Sequence, residues 1–237
     1  MGPWNSHVLN GAVYKLNYDL LNDLEPVALL ASNDCVIVSK NGVPASNLKE
    51  LIAWVKANPD KVSAGTGGVG TGTHITTVMF QNMTGTAVLS VPYRGLGPAM
   101  QALMAGQIDL IFDQVSNSLP QVRGGKIRAY AVTGKKRLAA APEIPTVDEA
   151  GLPGFYVSVW HGLWASKGTP RNIVVALNRA VVETLADPAS PPARFSSRVA
   201  SGTPHNKRIP RSMSAFCRAS RAVVMARPTK WPRSPPF

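Results

Sequence analysis

The sequence of 237 residues predicts an α/β fold, on three observations. Short apolar runs rich in β-branched residues alternate with amphipathic stretches of helical period. Helix-start signals precede several of the amphipathic stretches, and loops rich in Gly and Pro separate the segments. This alternation favours parallel strands covered by helices, a class in which ligands bind beyond the carboxyl ends of the strands.

The first helix shows how the elements are assigned. Asn47 followed by Glu50 is a capping signature, and apolar residues then recur at helical spacing from Leu48 to Val55. Asn58-Pro59 ends this helix, because proline disfavours helical geometry in the residue before it. Further helices are predicted from about His74, from Pro98, over 118–123 and from Pro170 to Ala186. The predicted strands are 27–31, 35–38, 61–64, 88–92, 108–112, 127–133, 155–160 and 163–165.

Charge is distributed unevenly along the chain. The net charge is +12, from 25 Lys and Arg against 13 Asp and Glu, but residues 188–237 hold ten basic residues and no acidic one. Residues 1–187 are therefore almost neutral, with 15 basic and 13 acidic residues. The last 50 residues, rich in Pro, Ser and Arg, are predicted to be a disordered basic tail, and we hypothesise that they are translated out of frame. The alternative is a genuine tail that binds nucleic acid or anionic lipid by charge.

A glycine- and threonine-rich loop, 65–74, is the most informative motif. Bare glycine backbone, threonine hydroxyls and the start of the following helix together predict a site for a small anion. The alternative is a plain turn between strand and helix. A dinucleotide site needs an acidic residue about 20 positions further on, and a phosphate loop needs a lysine; both are absent. The candidate ligand-binding residues here are Thr66, Gly67, Gly68, Gly70, Thr71, Thr73 and His74.

Three further candidates follow predicted strands. Tyr93 and Arg94 come after the strand ending at Pro92 and could bind a carboxylate, or they could form a surface turn. Asp113 follows the next strand and could accept a hydrogen bond from a ligand, or cap the next helix.

Catalytic motifs are absent. The histidines lack metal-ligand spacing, no nucleophile elbow occurs, and Cys35 lies in an apolar strand where packing is the expected role. We therefore predict a binding protein with no cofactor, no metal and no catalytic residue. An anion-binding α/β enzyme using His74 is the alternative from a different class.

Several ordered segments resemble the Bug-type (TctC-like) substrate-binding proteins of tripartite tricarboxylate transporters. The resemblance extends over about residues 1–187 and is carried by LEPVALL (24–30), GTGGVGTGTH (65–74), VPYRGLGPA (91–99), GQID (106–109), GKIRAYAVT (125–133), PTVDEAGLPG (145–154) and GTP (168–170).

This resemblance implies a periplasmic-binding-protein-like (type II) fold with two lobes that close on a small carboxylate. It places a remnant of the first lobe in 1–32, an intact second lobe in 33–157, and a return crossing with a first-lobe helix in 158–187. It also implies that Asn5, Ser6 and His7 lie near the cleft, and that the partners are an organic carboxylate and the transporter's membrane subunits. We expect a monomer that does not bind nucleic acid.

The chain departs from the family pattern at both ends. Its first residues resemble a segment that lies within the first lobe of family members, and the resemblance ends near residue 187. We therefore expect a truncated receptor that binds ligand weakly because part of the clamp is missing. The resemblance implies a periplasmic location; no signal peptide is recognised, so as written the chain is expected to stay in the cytoplasm.

Overall fold

The computed structural model describes residues 2–3, 15–20 and 22–187. The strands are β1 (Gly2–Pro3), β2 (Leu24–Lys40), β3 (Ser63–Thr66), β4 (Leu89–Pro92), β5 (Leu110–Gln114), β6 (Ile127–Val132) and β7 (Ser158–Ser166). The helices are α1 (Leu48–Ala57), α2 (Gly72–Thr84), α3 (Leu96–Met104), α4 (Val115–Arg123) and α5 (Arg171–Ala186). The predicted α/β class is confirmed.

The strands form a mixed sheet in the order β1-β7-β2-β5-β3-β4, with β6 also paired to β2. The parallel pairing that the alternation predicts holds for β3 with β4 and β3 with β5. The long strand β2 is instead antiparallel to β5, β6 and β7. Its first half pairs with β7 and its second half with β5 and β6, so β2 connects the two parts of the sheet.

Strand β2 is continuous where the sequence predicts two strands. Residues 32–34 have the polar composition of a turn, yet each pairs with a residue of β7. Backbone pairing of this kind does not depend on the hydrophobicity of the side chains, and that is why the pattern missed it. β7 likewise runs without the predicted break, since Gly162 pairs with both β1 and β2.

The core lies on both faces of the sheet. Alternate residues of β2 point to opposite faces: Ile37 packs into one buried cluster and Val36 into another. In the first cluster the rings of Phe80, Phe112 and Phe155 lie 5.0–6.1 Å apart and contact one another. Both faces are covered, so the loops at the carboxyl ends of the strands are held in fixed positions.

Local signals predicted the helix starts to within three residues, the largest difference being α4, predicted from 118 and beginning at Val115. Asn47 caps α1 as expected: its Oδ1 accepts from the Glu50 amide at 3.0 Å, and its Nδ2 donates to the Glu50 carboxylate at 2.7 Å. Helix α5 begins directly after Pro170 and ends at Ala186 as predicted. Helix α3 begins at Leu96, two residues earlier than predicted. The boundaries of the two lobes at 33 and 157 remain a prediction, and residues 188–237 lie outside the described part of the chain.

Candidate functional site

A cleft of about 280 Å³ opens where β3, β4 and β5 end and α2 begins. Its loop side is formed by the loop after β3 and the first turns of α2, with the lining residues Gly67, Thr71, Gly72, Thr73 and Thr76. Its strand side carries Cys35, Phe112, Gln114, Val159 and His161. Pro3, Gly95 and Leu96 complete the lining. This is the position at which α/β folds place ligands.

Hydrogen bonds hold the loop side in a defined shape. The Gly67 amide donates to Thr73 Oγ1 at 2.9 Å, which ties the end of β3 to the first turn of α2. Thr71 Oγ1 donates to the carbonyl oxygen of Gly68 at 2.6 Å and lies 3.2 Å from Thr73 Oγ1. The threonine hydroxyls therefore organise the loop, and a ligand does not have to order it on binding.

The start of α2 leaves main-chain donors available. Thr71 occupies the N-cap position but its side chain makes no capping hydrogen bond. The first intrahelical bond recorded at this end is from the Ile75 amide to the Thr71 carbonyl, at 3.0 Å. Helix geometry thus leaves the amides of Gly72 and Thr73 without an intrahelical acceptor. Both residues line the cleft, where the positive end of the helix dipole favours an anion.

The strand side is mainly apolar. Phe112 and Cys35 are almost fully buried and Val159 is partly buried, so the cleft floor is close-packed. Burial, with a smaller effect of the nearby Asp113 and Asp34 carboxylates, raises the pKa of the Cys35 thiol far above its usual value. Cys35 is therefore a protonated packing residue, as the sequence predicts. Among the described lining residues there is no Lys, Arg, Asp or Glu; the main-chain amides, the threonine hydroxyls and the Gln114 carboxamide are neutral groups that can donate to a ligand.

Comparison with known proteins places this geometry in a family. The model of the tripartite tricarboxylate transporter family receptor (TctC) matches residues 5–198, a little beyond the point where the sequence resemblance was expected to end. The chain belongs to this receptor family. Its members are periplasmic substrate-binding proteins.

Relatives and solved structures of the family support the fold. A protein of the TAR-I ttuE-ttuC' intergenic region of Agrobacterium vitis is 39% identical over 173 residues, covering 73% of this chain and 50% of its own length. Two Rhodopseudomonas palustris structures are 28% identical and cover 94% of this chain: Rpa4515 with adipate, at TM-score 0.77, and MatC with bound malate, at TM-score 0.74. This chain covers 73% and 75% of those two chains, respectively. It spans about half the length of the curated relatives it matches.

In this family member, the predicted loop residues separate into two groups. Gly67, Thr71 and Thr73 line the cleft. Thr66 is buried, and its Oγ1 accepts from the Gly68 amide at 3.4 Å. The Gly70 amide donates to His74 Nδ1 at 3.5 Å. Four predicted residues do not line the cleft: Thr66, Gly68, Gly70 and His74. Their placement favours a structural role in shaping the loop, and their contact with a ligand remains a prediction.

The surroundings of His74 favour the neutral form of its imidazole. Burial lowers the pKa of this side chain, and Nδ1 must be unprotonated to accept from the Gly70 amide. A neutral, half-buried histidine in the first turn of α2 fits a positioning role for the loop.

Tyr93 and Arg94 lie beside the cleft. The Tyr93 amide donates to the Thr66 carbonyl at 2.8 Å, and the Tyr93 ring packs against the second core cluster. Arg94 is exposed. The residues that follow them, Gly95 and Leu96, line the cleft instead. Ligand contact by Tyr93 and Arg94 remains a prediction.

Asp113 is buried and already hydrogen-bonded. Its carboxylate accepts from the Gln114 amide at 2.7 Å, the Asn117 amide group at 2.7 Å and the Ser118 hydroxyl at 2.8 Å. Burial outweighs these bonds and raises the pKa of the carboxyl. The carboxylate is therefore hydrogen-bonded to residues around the start of the following helix, which agrees better with a structural role there than with a role as a ligand acceptor; ligand contact by Asp113 remains a prediction.

Asn5, Ser6 and His7 lie outside the described residues. Conversely, ten of the described lining residues are not among the site residues that the sequence predicts: Pro3, Cys35, Gly72, Thr76, Gly95, Leu96, Phe112, Gln114, Val159 and His161. Gln114 was the easiest of these to predict from sequence, because it is the last residue of a strand whose carboxyl end is expected to face the ligand. His161 and Val159 could not be placed without the pairing of β7 with β2.

The described residues contain neither a metal-binding cluster nor a membrane-spanning helix. Within 2–3, 15–20 and 22–187, no group of His, Cys, Asp and Glu side chains is arranged to hold a metal ion. No helix in this part of the chain is both long and apolar enough to cross a membrane.

Proposed function

We propose that this chain is a solute-binding receptor that captures a small organic carboxylate for a tripartite tricarboxylate transporter. The observation that carries the proposal is the pair of main-chain amides, Gly72 and Thr73, that have no acceptor among the described residues and lie at a helix start that lines a cleft. Carboxylate oxygens accept from such amides, and the helix dipole favours the negative charge.

The relatives support a carboxylate as ligand. Two structures that resemble this chain over most of its length hold adipate and malate, each of which has two carboxylate groups. The cleft is large enough for small organic acids of this kind. The ligand-contacting residues we propose are Gly67, Thr71, Gly72 and Thr73.

The lining residues favour ligand binding over catalysis. The titratable side chains among the described lining residues are Cys35 and His161, and burial keeps the Cys35 thiol protonated. The protonated thiol is a weak nucleophile, which disfavours covalent catalysis by Cys35. We further propose that the receptor acts as a monomer in the periplasm and delivers its ligand to the membrane subunits of the transporter.

The test replaces one amide donor without removing the helix. Gly72→Pro deletes the N–H at the first helical position, where proline is tolerated, and Thr71 at φ −74 and ψ 160 already has the conformation preferred before proline. Gly72→Ala is the matched control because it adds a side chain and keeps the N–H. Calorimetry with adipate should show about tenfold or greater loss of affinity for Gly72→Pro relative to Gly72→Ala, the range expected for a hydrogen bond to a charged group. Equal affinities, or no binding by the unaltered chain, would contradict the proposal.

A further inference from the structure

Gln114 lies on the strand side of the cleft, and its side chain has an unusual set of partners. It ends β5 and occupies the N-cap position of α4, yet it makes no capping hydrogen bond. Its backbone amide donates to the Asp113 carboxylate at 2.7 Å. The side chain is therefore available for another role, and the residue lines the cleft.

Asn33 fixes which end of the Gln114 carboxamide is available. Asn33 is only 7% exposed, and its Nδ2 donates to Gln114 Oε1 at 3.3 Å. That bond uses the acceptor of Gln114 and leaves the two N–H groups of Nε2. Among the described residues no acceptor is bonded to Nε2. A partly buried amide donor without a partner gains most when a ligand supplies the acceptor.

We propose that Gln114 is a specificity-determining residue, whose Nε2 donates to a second acceptor group on the ligand, and that Asn33 is its positioning residue. This inference rests on the proposed function, in which the amides of Gly72 and Thr73 bind the first carboxylate. The cleft also has buried apolar lining residues, Phe112 and Cys35, that can pack against a hydrocarbon chain. The ligand class that fits is a dicarboxylate with an unsubstituted hydrocarbon chain.

The preference for a dicarboxylate over a monocarboxylate of the same length has a physical limit. Because no Lys or Arg lies among the described lining residues, the second carboxylate meets a neutral donor and not an opposite charge. One hydrogen bond to a charged group changes affinity by about tenfold to about a hundredfold. We therefore expect adipate to bind at least about tenfold more tightly than hexanoate, which has the same chain length and one carboxylate.

The experiment measures both ligands with the unaltered 237-residue chain, Gln114→Leu and Gln114→Glu, by calorimetry. Gln114→Leu removes the donor, so adipate affinity should fall to that of hexanoate while hexanoate affinity changes less than about twofold. Gln114→Glu keeps an acceptor for Asn33 but adds a negative charge, so it should weaken adipate more than hexanoate. Asn33→Ala should lower the ratio of the two affinities in the same direction as Gln114→Leu. A purely structural role would weaken both ligands equally.

Three outcomes would overturn this inference while leaving the proposed function intact. They are an unaltered chain that binds hexanoate as tightly as adipate, a Gln114→Leu variant with unchanged adipate affinity, and a variant that loses both ligands to the same extent. Failure of the proposed function looks different: neither acid binds, or binding does not respond to Gly72→Pro.

Discussion

The backbone amide of Gly67 donates to the side-chain hydroxyl of Thr73 at 2.9 Å, and this bond joins the end of β3 to the first turn of α2. Both residues line the cleft. The bond directs the loop so that the start of the helix faces the ligand, and it fixes the backbone before the ligand arrives. Preorganisation of this kind lowers the entropic cost of binding.

Thr73→Val should weaken carboxylate binding. Valine has nearly the same shape as threonine but cannot accept from Gly67, so the loop loses its tie to α2. We expect a several-fold loss of adipate affinity and a loss of about 1 kcal/mol in the free energy of unfolding. Calorimetry and urea denaturation measure the two effects.

The matched control for Thr73→Val lies at the other end of the same helix. Thr84 Oγ1 donates to the Phe80 carbonyl at 2.7 Å and is remote from the cleft lining. Thr84→Val should lower stability by a comparable amount and leave adipate affinity unchanged. If the two variants change adipate affinity equally, the hydrogen bond between Gly67 and Thr73 does not support binding.

Asp109 should make folding stability depend on acid pH. Burial acts to raise the pKa of its carboxyl, but Lys40 Nζ at 2.7 Å and two donors from Ser63 at 2.8 Å outweigh it, and the pKa is lowered. A carboxyl whose pKa is lower in the folded state than in the unfolded state stabilises the fold at pH values above its unfolded-state pKa. This contribution is lost as the pH falls through the folded-state pKa. Asp109→Asn should therefore cost about 1–3 kcal/mol near pH 7, and the difference should shrink below about pH 4.

Denaturant unfolding across acid pH tests this prediction, with Asp60→Asn as control. Asp60 is exposed, and its φ of 60° is a conformation that asparagine also adopts readily. A constant difference between Asp109→Asn and the unaltered chain at all pH values would show that the ion pair does not couple to folding.

Asp113 should have the opposite pH dependence. Burial raises the pKa of its carboxyl in the folded chain, so the folded state binds the proton more readily than the unfolded state. Stability should then decrease as the pH rises from the ordinary aspartate value, about 3.9, to the native value. Asp113→Asn should remove this decrease. The same series of unfolding measurements detects it, and an unaltered slope in the variant would refute the assignment.

Gly65→Ala should destabilise the fold through packing. A Cβ at this position would lie 2.5 Å from Ile108 Cδ1 and 3.3 Å from Ala99 Cβ, both in the buried core. Overpacking of this kind costs about 1–3 kcal/mol. Adding Ile108→Val, which deletes the Cδ1 methyl, should recover part of the loss. Gly42→Ala, with no atom within 4 Å, is the control and should be near neutral.

The role of Gly65 shows how far the glycine-rich motif could be interpreted from sequence. The motif predicted a backbone-rich anion site, and the cleft-lining positions of Gly67 and Gly72 agree with that geometry. Gly65, however, is required by contact with Ile108, and Gly68 by a φ of 108°. Composition identifies a glycine loop, but packing and backbone angles decide what each glycine does.

Side chains that depend on pairing between distant strands were beyond sequence reasoning. The capping residues Asn47 and Glu50 were predictable because their partners are three positions apart. The bond between Asn33 and Gln114 joins residues 81 positions apart, and it exists only because β2 and β5 are neighbours. The sequence identifies Asp113 as an acid at the end of a strand, but only the structure shows that its carboxylate accepts hydrogen bonds from Asn117 and Ser118.

A titration of the isotope-labelled chain with adipate, followed by NMR, shows whether the amides of Gly72 and Thr73 donate to a carboxylate. Adipate should shift the backbone amide resonances of Gly72 and Thr73 to low field, because those N–H groups donate to a carboxylate. Adipamide, which has the same length and no charge, should leave them nearly unchanged. If adipate does not move these two resonances, or if adipamide moves them as far, the start of α2 is not the carboxylate site.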